Sequence, residues 1–347
     1  MIKRRVPERR SFGLLFVLLA AQADAGDVLL RAPLEIFGPE AGLSAGERSA
    51  FERGRVLVKI LDSDDRSEVV ALATMRLHAS AARFVAGIEQ VEARRGDDEV
   101  LAIGRFGTLP SVGDLSGLGL ERRELESLRK CRPRDCDLRL SSEWMARFRG
   151  DVDWAAADHA ARAASLWRAT LAAYAADYAA RGSAALTEYH DNPQPVRVAD
   201  SLRRLVERFD GLKEAAPELE RYLLEFPAER PDSARDFLYW LREKFWMKSV
   251  LSLNHVTLLE RSSPRGPLVL VATRQIYANH YFDSHLGLTA FVEDVESGTS
   301  VLISLSRSRA DVRPSGFTWI ERALVRRLVR GRLESQLQAL RRRLEAP

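Results

Sequence analysis

The residues that could do acid–base or nucleophilic chemistry lie scattered along the chain. Gly42-Leu43-Ser44-Ala45-Gly46 has the form of a nucleophile elbow. That motif needs a buried strand just ahead of the serine, so that its hydroxyl sits on a strained strand-to-helix turn. Residues 37–41 (Phe-Gly-Pro-Glu-Ala) are no such strand. Ser44, three residues before Glu47, reads instead as the N-cap of a helix with a capping box. Ser127-Leu-Arg-Lys130 has S-x-x-K spacing, but the companion motifs of that enzyme class are absent. Of the 6 histidines, His190 precedes Asp191 in a turn, His159 falls on the outer side of an alanine-rich helix, and His280 and His285 flank Asp283. His280, Asp283 and His285 could hold a metal, yet nothing in their spacing makes them converge. A hydrolytic His–Asp pair lacks a converging partner in the same way. No catalytic or metal-ligating set is assigned, and no cofactor is implied.

Residues 271–283 carry a different chemistry. If extended, Gln275, Tyr277, Asn279, Tyr281 and Asp283 share one face, with Ile276, Ala278, His280 and Phe282 on the other. Tyrosine rings mixed with an amide and a carboxylate suit a ligand cavity, apolar walls with a few orienting hydrogen bonds. The alternative is the solvent side of an antiparallel sheet, with tyrosines paired across strands. Cys131 and Cys136, with Pro133 between them, are the only cysteines. Such a pair in an oxidising compartment reads as a local disulfide, adding about 2 kcal/mol on the chain-entropy argument. A metal site would need more ligands, and a catalytic redox pair usually has C-x-x-C spacing.

The N-terminus supplies that compartment. Lys3, Arg4, Arg5, Arg9 and Arg10 form a basic stretch, residues 12–21 an apolar run too short to span a bilayer, and Ala23-Asp24-Ala25 a small-x-small cleavage site before Gly26. Residues 1–25 thus read as a cleaved export signal, placing the mature chain in the periplasm or outside the cell. The general secretory route suits the hydrophobic run; Arg9-Arg10 leaves a twin-arginine route open. The leader contributes five cations against Glu8 and Asp24, so the formal +4 of the full chain becomes 4 − 3 = +1. The basic excess that nucleic-acid binding would need is therefore removed with the leader.

The positioning elements follow from periodicity. Residues 26–43, rich in Gly and Pro, read as a lead-in. A short helix from Ser44 precedes strands at 55–61 and 69–77, a helix over 79–91 and a strand at 100–106. Residues 111–245 read as helical. The longest helix runs from Asp153 to Gly182, one opens at Pro217, and one carries Phe237 to Phe245. Strands are expected at 250–259, 268–276, 286–292 and 301–305, then a terminal helix over 317–344. Its first half presents Phe317, Ile320, Leu324 and Leu328; its second half presents Leu333, Leu337, Leu340 and Leu344 on nearly the opposite side, with the switch at Gly331. Eight arginines follow residue 315, against Glu321, Glu334 and Glu345. They serve either as a solvated face or as a contact for anionic membrane surface.

This order is α+β. Residues 69–77 running through His78-Ala79-Ser80 into the Phe84 helix, the strands over 250–306 and the helix from Phe317 resemble the helix-grip fold of the START/SRPBCC superfamily. Stretches such as 275–282 and 307–311 are also similar to those of exported bacterial proteins. The resemblance implies an antiparallel sheet around the terminal helix, built from residues 44–110 and 246–347 and interrupted by the all-helical insertion 111–245. It also implies a cavity for an apolar small molecule or lipid, which Gln275, Tyr277, Tyr281 and Asp283 would line with Phe317, Ile320 and Leu324. The expected function is binding or transfer of an apolar or amphipathic ligand. A hydrolase or cyclase-like enzyme in the same cavity, or a partner-docking protein acting through the helical block, are the alternatives.

Overall fold

The computed structural model describes Phe37 and residues 42–310 and 319–346. The leader with Ala25 and Gly26, most of the lead-in, and Phe317 lie outside the described residues. Helix α1 (Ala45–Glu52) opens as its capping box requires: the Ser44 hydroxyl accepts from Glu47 N–H, and the Glu47 carboxylate accepts from Ser44 N–H at 2.8 Å. Strands β1 (Leu57–Leu61) and β2 (Glu68–Leu77), helix α2 (Ala81–Glu89) and strand β3 (Val100–Arg105) follow. The insertion holds α3 (Arg122–Lys130), α4 (Ser142–Asp151), α5 (His159–Arg181), a small ribbon of β4 (Glu188–Tyr189) and β5 (Val196–Arg197), then α6 (Val198–Glu207), α7 (Leu212–Ala215) and α8 (Pro217–Glu225). Strands β6 (Ala234–Phe245), β7 (Lys248–Ser263), β8 (Gly266–Ala278), β9 (Phe282–Asp294) and β10 (Thr299–Ala310) precede the terminal helix α9 (Trp319–Glu345).

The 8-stranded antiparallel sheet has the order β1-β2-β10-β9-β8-β7-β6-β3. Chain segments from both sides of the insertion therefore build one sheet. Strand β6 corrects the sequence expectation of a helix at 237–245. Phe237, Tyr239 and Leu241 alternate with Leu238 and Trp240, and the two sets join cores on opposite sides of the sheet. An aromatic run buried on both faces lacks the polar stripe by which period reveals a strand. Helix α5 starts at His159 rather than Asp153 and ends, as expected, at Gly182. Gly182 has φ 58° there, and a Cβ at that position would run into the Phe226 carbonyl.

Helices cover both faces. On one, α2 and α9 pack Phe84, Leu337 and Leu344 against Met75, Val269, Val271, Phe291 and Leu302, with the Phe84 and Phe291 rings stacked at 4.4 Å. Each fully buried leucine there contributes roughly 1.5–3 kcal/mol. On the other, α6, α7 and α8 set Leu205, Phe209, Leu212 and Leu219 on Leu270, Leu288 and Ile303, while α4 and α5 bring Trp144, Trp167 and Leu171 onto Trp240, Leu251 and Leu253. Leu333, Leu337, Leu340 and Leu344 of α9 form the expected apolar stripe. Leu328 is 45% exposed, which corrects its place in a buried first-half stripe. Part of the basic α9 face is used within the fold: Arg332 pairs with Glu99 at 3.0 Å and Glu243 at 2.5 Å, Arg343 with Asp97 at 3.1 Å. Cys131 and Cys136 stand at disulfide distance, their Cα atoms 4.5 Å apart.

Candidate functional site

One irregularity in β8 decides where the sequence-selected residues point. Asn254 of β7 pairs with Gln275 and Leu253 pairs with Tyr277, leaving Ile276 as an extra residue. At such a bulge two consecutive side chains take the same side and the alternation resets. Gln275 continues the row of Val269, Val271 and Thr273 under α9, whereas Ile276 and Tyr277 both join the insertion-side core. The shared face expected for Gln275 and Tyr277 is thus split between the two sides of the sheet.

Tyr277 is fully buried in an aromatic cluster, its ring 5.5 Å from Trp144, 6.2 Å from Trp167 and Tyr174, and 6.0 Å from Tyr189. Its hydroxyl donates to the Arg139 carbonyl at 3.1 Å. It is core, on the side away from α9. Tyr281 sits in the β8–β9 turn at φ 63°, against Phe245 and Trp246. Asp283 pairs with the Arg139 guanidinium, which lies over the Tyr189 ring. Ile320 and Leu324 belong to α9, and their side chains lie outside the description. His280, Asp283 and His285 do not converge: His285 Nδ1 contacts Ser308 Oγ at 2.7 Å, and no group of three potential metal ligands occurs among the described residues.

Around Gln275, the face under α9 changes from apolar to polar. Thr273 and Gln275 of β8, His285, Gly287 and Thr289 of β9, and Ser304, Ser306 and Ser308 of β10 occupy adjacent positions: Ser304 faces Thr289, Ser306 faces Gly287, Ser308 faces His285, and His285 faces Gln275. Thr289 Oγ1 donates to Ser304 Oγ at 2.9 Å. Burial lowers the His285 pKa to about 4, so the ring is neutral near pH 7. Gln275 is 9% exposed, and its amide oxygen has no hydrogen-bond partner. A buried acceptor left unpaired costs about 1–3 kcal/mol. A ligand N–H or O–H placed on this floor would recover that cost.

The insertion face carries a second polar group that sequence reading passed over. His255 Nε2 lies 2.8 Å from Asp236 Oδ1, and Asp236 also accepts from Thr257 at 2.7 Å and Tyr222 at 2.8 Å. His255 Nδ1 lies 2.6 Å from Arg274 Nη2 and 2.9 Å from the Tyr178 hydroxyl. Burial, then the Arg274 charge, lowers the His255 pKa to about 4. The neutral ring therefore donates Nε2–H to Asp236 and accepts at Nδ1 from Arg274 and Tyr178. Burial pushes Asp236 upward, but hydrogen bonds from His255, Thr257 and Tyr222 outweigh it and keep the carboxyl ionised. Burial raises Tyr178 to about 12. The row has the shape of a proton relay and the energetics of a fixed hydrogen-bond network. Its sequence signal was His255 and Thr257 alternating with apolar residues on β7; Asp236 was hidden because its strand read as a helix.

The chain matches no known family model and no curated protein.

Proposed function

We propose that the protein is a non-catalytic binder or carrier of an amphipathic ligand, a lipid among them, held between the sheet and α9 in the manner of helix-grip proteins. The carrying observation is the buried, unpartnered Gln275 amide oxygen within a floor of serine, threonine and glycine, where the same face is otherwise apolar. The sheet order supports the helix-grip likeness: the early strand β2 pairs with the last strand β10, and the helix that follows packs on that sheet. Export from the cytoplasm is part of the reading. It rests on the signal-like leader and on the Cys131–Cys136 pair at disulfide distance. No helix among the described residues is long and apolar enough to cross a membrane.

His255 and Asp236 are the observation that favours a hydrolase. The only acceptor nitrogen of the neutral His255 ring, Nδ1, already takes hydrogen bonds from Arg274 and Tyr178, and a ring whose pKa burial lowers to about 4 is a weak base. The helical block, for its part, spends Trp144, Trp167, Leu171 and Tyr178 on the sheet rather than on a partner.

A fluorescent long-chain alcohol offered to the delipidated full-length protein should bind and raise its melting temperature. Gln275→Leu should weaken the alcohol about tenfold, the value of one hydrogen bond, and leave an all-hydrocarbon probe unaffected. No binding by the wild type, or equal loss of both probes, would overturn the proposal.

A further inference from the structure

On the opposite side of the sheet, a cavity of about 250 Å³ lies among α5, α6, α8 and β8. Its floor includes Tyr178, Leu202, Leu223 and Arg274, all buried, and its mouth includes Ala184, Asp200 and Arg203, all exposed. Arg274 is 2% exposed. Its Nη1 donates to the Leu223 carbonyl at 2.8 Å, its Nη2 to neutral His255 at 2.6 Å, and its plane lies 5.0 Å from the Phe226 ring centroid. Nε is buried without a partner, and no carboxylate of the described residues pairs with this guanidinium. The nearest acid in the network, Asp236, reaches it only through His255.

A guanidinium stays charged in any protein environment, and one held out of water without a counter-ion is costly. Arg274 is nonetheless fixed on three sides by neutral acceptors and a ring. We infer that the cavity is a site for a small organic carboxylate, its anionic end toward the Arg274 guanidinium, its apolar part against Leu202 and Leu223. Two arginines against Asp200 leave the site with one net positive charge, which matches a monoanion; the leucine wall gives inorganic phosphate nothing to hold. The site is separate from the sheet–α9 floor, so the two can fail independently.

Calorimetry on the full chain would use hexanoate, hexanol and inorganic phosphate. Hexanoate should bind; hexanol and phosphate should bind at least about tenfold more weakly, because charge-assisted hydrogen bonds to a guanidinium are the strong ones. Ala199→Trp, at a half-buried cavity-lining position, should fill the space and abolish hexanoate binding while the protein keeps its melting temperature. Arg274→Lys should weaken hexanoate about tenfold, since an ammonium does not reproduce the planar fork. If Arg274→Lys does not fold, Ala199→Trp and the three probes still decide. Equal binding of hexanol and hexanoate, tighter binding of phosphate, no hexanoate binding, or undiminished binding by Ala199→Trp would each overturn the assignment.

Discussion

Arg274 and Gln275 are neighbours in the chain, and they face opposite sides of the sheet. Arg274 serves the cavity under the insertion, Gln275 the polar floor under α9. Between them the sheet buries His255 and half-buries His285, each with a pKa lowered to about 4 by loss of hydration; His280 is lowered likewise. The unfolded chain takes up protons on its histidines near pH 6.5, about where the model peptides do. Between that point and about pH 4 the unfolded state holds more protons than the fold, so stability falls as pH drops. The expected loss is up to about 1.4 kcal/mol per pH unit for each such histidine. Glu124 and Glu243, whose carboxyls burial pushes up, act in the opposite sense. A comparison of variants isolates one group: urea melts across the window should show a shallower pH slope for His285→Gln than for the wild type. An unchanged slope would refute a neutral His285.

At the scale of elements, α5 is held to β8 by Tyr277. Tyr277→Ala should destabilise by about 3–5 kcal/mol, the cost of a large cavity in a packed aromatic core. Tyr277→Phe should cost about 1 kcal/mol for the hydroxyl that Arg139 accepts. Denaturant melts of both would test it; a smaller loss for Ala than for Phe would contradict the packing. Most elements were legible because runs rich in Val, Ile and Leu stand between turn residues: β1, β2, β3 and β7 to β10 all came out as strands, and Pro217 marked the start of α8. Two features were not. Strand β6 is buried on both faces, so its pattern carries no period. The bulge at Ile276 has no signature, since Ile and Tyr are ordinary strand residues, yet it moves Tyr277 from one face to the other. The candidate site residues divide accordingly: Gln275 lies on the α9 side, and Tyr277 does not.

For the whole molecule, the decisive fact is that strands separated by the insertion interleave. Strand β2 pairs with β10 from Glu68 to Leu77, and β6 pairs with β7 along its whole length. A fragment of residues 246–347 would leave both β10 and β7 without their outer neighbours and expose long apolar edges. It should be insoluble or lack a cooperative melt by circular dichroism, whereas a fragment beginning at Gly42 and ending at Ala346 should melt in one transition. A cooperatively folded 246–347 would show that the sheet does not depend on the N-terminal strands.

The crowding of rings about Tyr277 also makes the molecule its own optical gauge. Trp144 stands 5.5 Å from Tyr174 and Tyr277 and Trp167 6.2 Å from Tyr277, a range at which an excited tyrosine hands its energy to tryptophan rather than emitting. In the fold, these tyrosines are dark and the tryptophans carry their light. Whatever lifts α4 and α5 off the sheet parts Tyr277 of β8 from both tryptophans, so the rise of tyrosine emission against tryptophan emission reports the docking of the insertion without any added label.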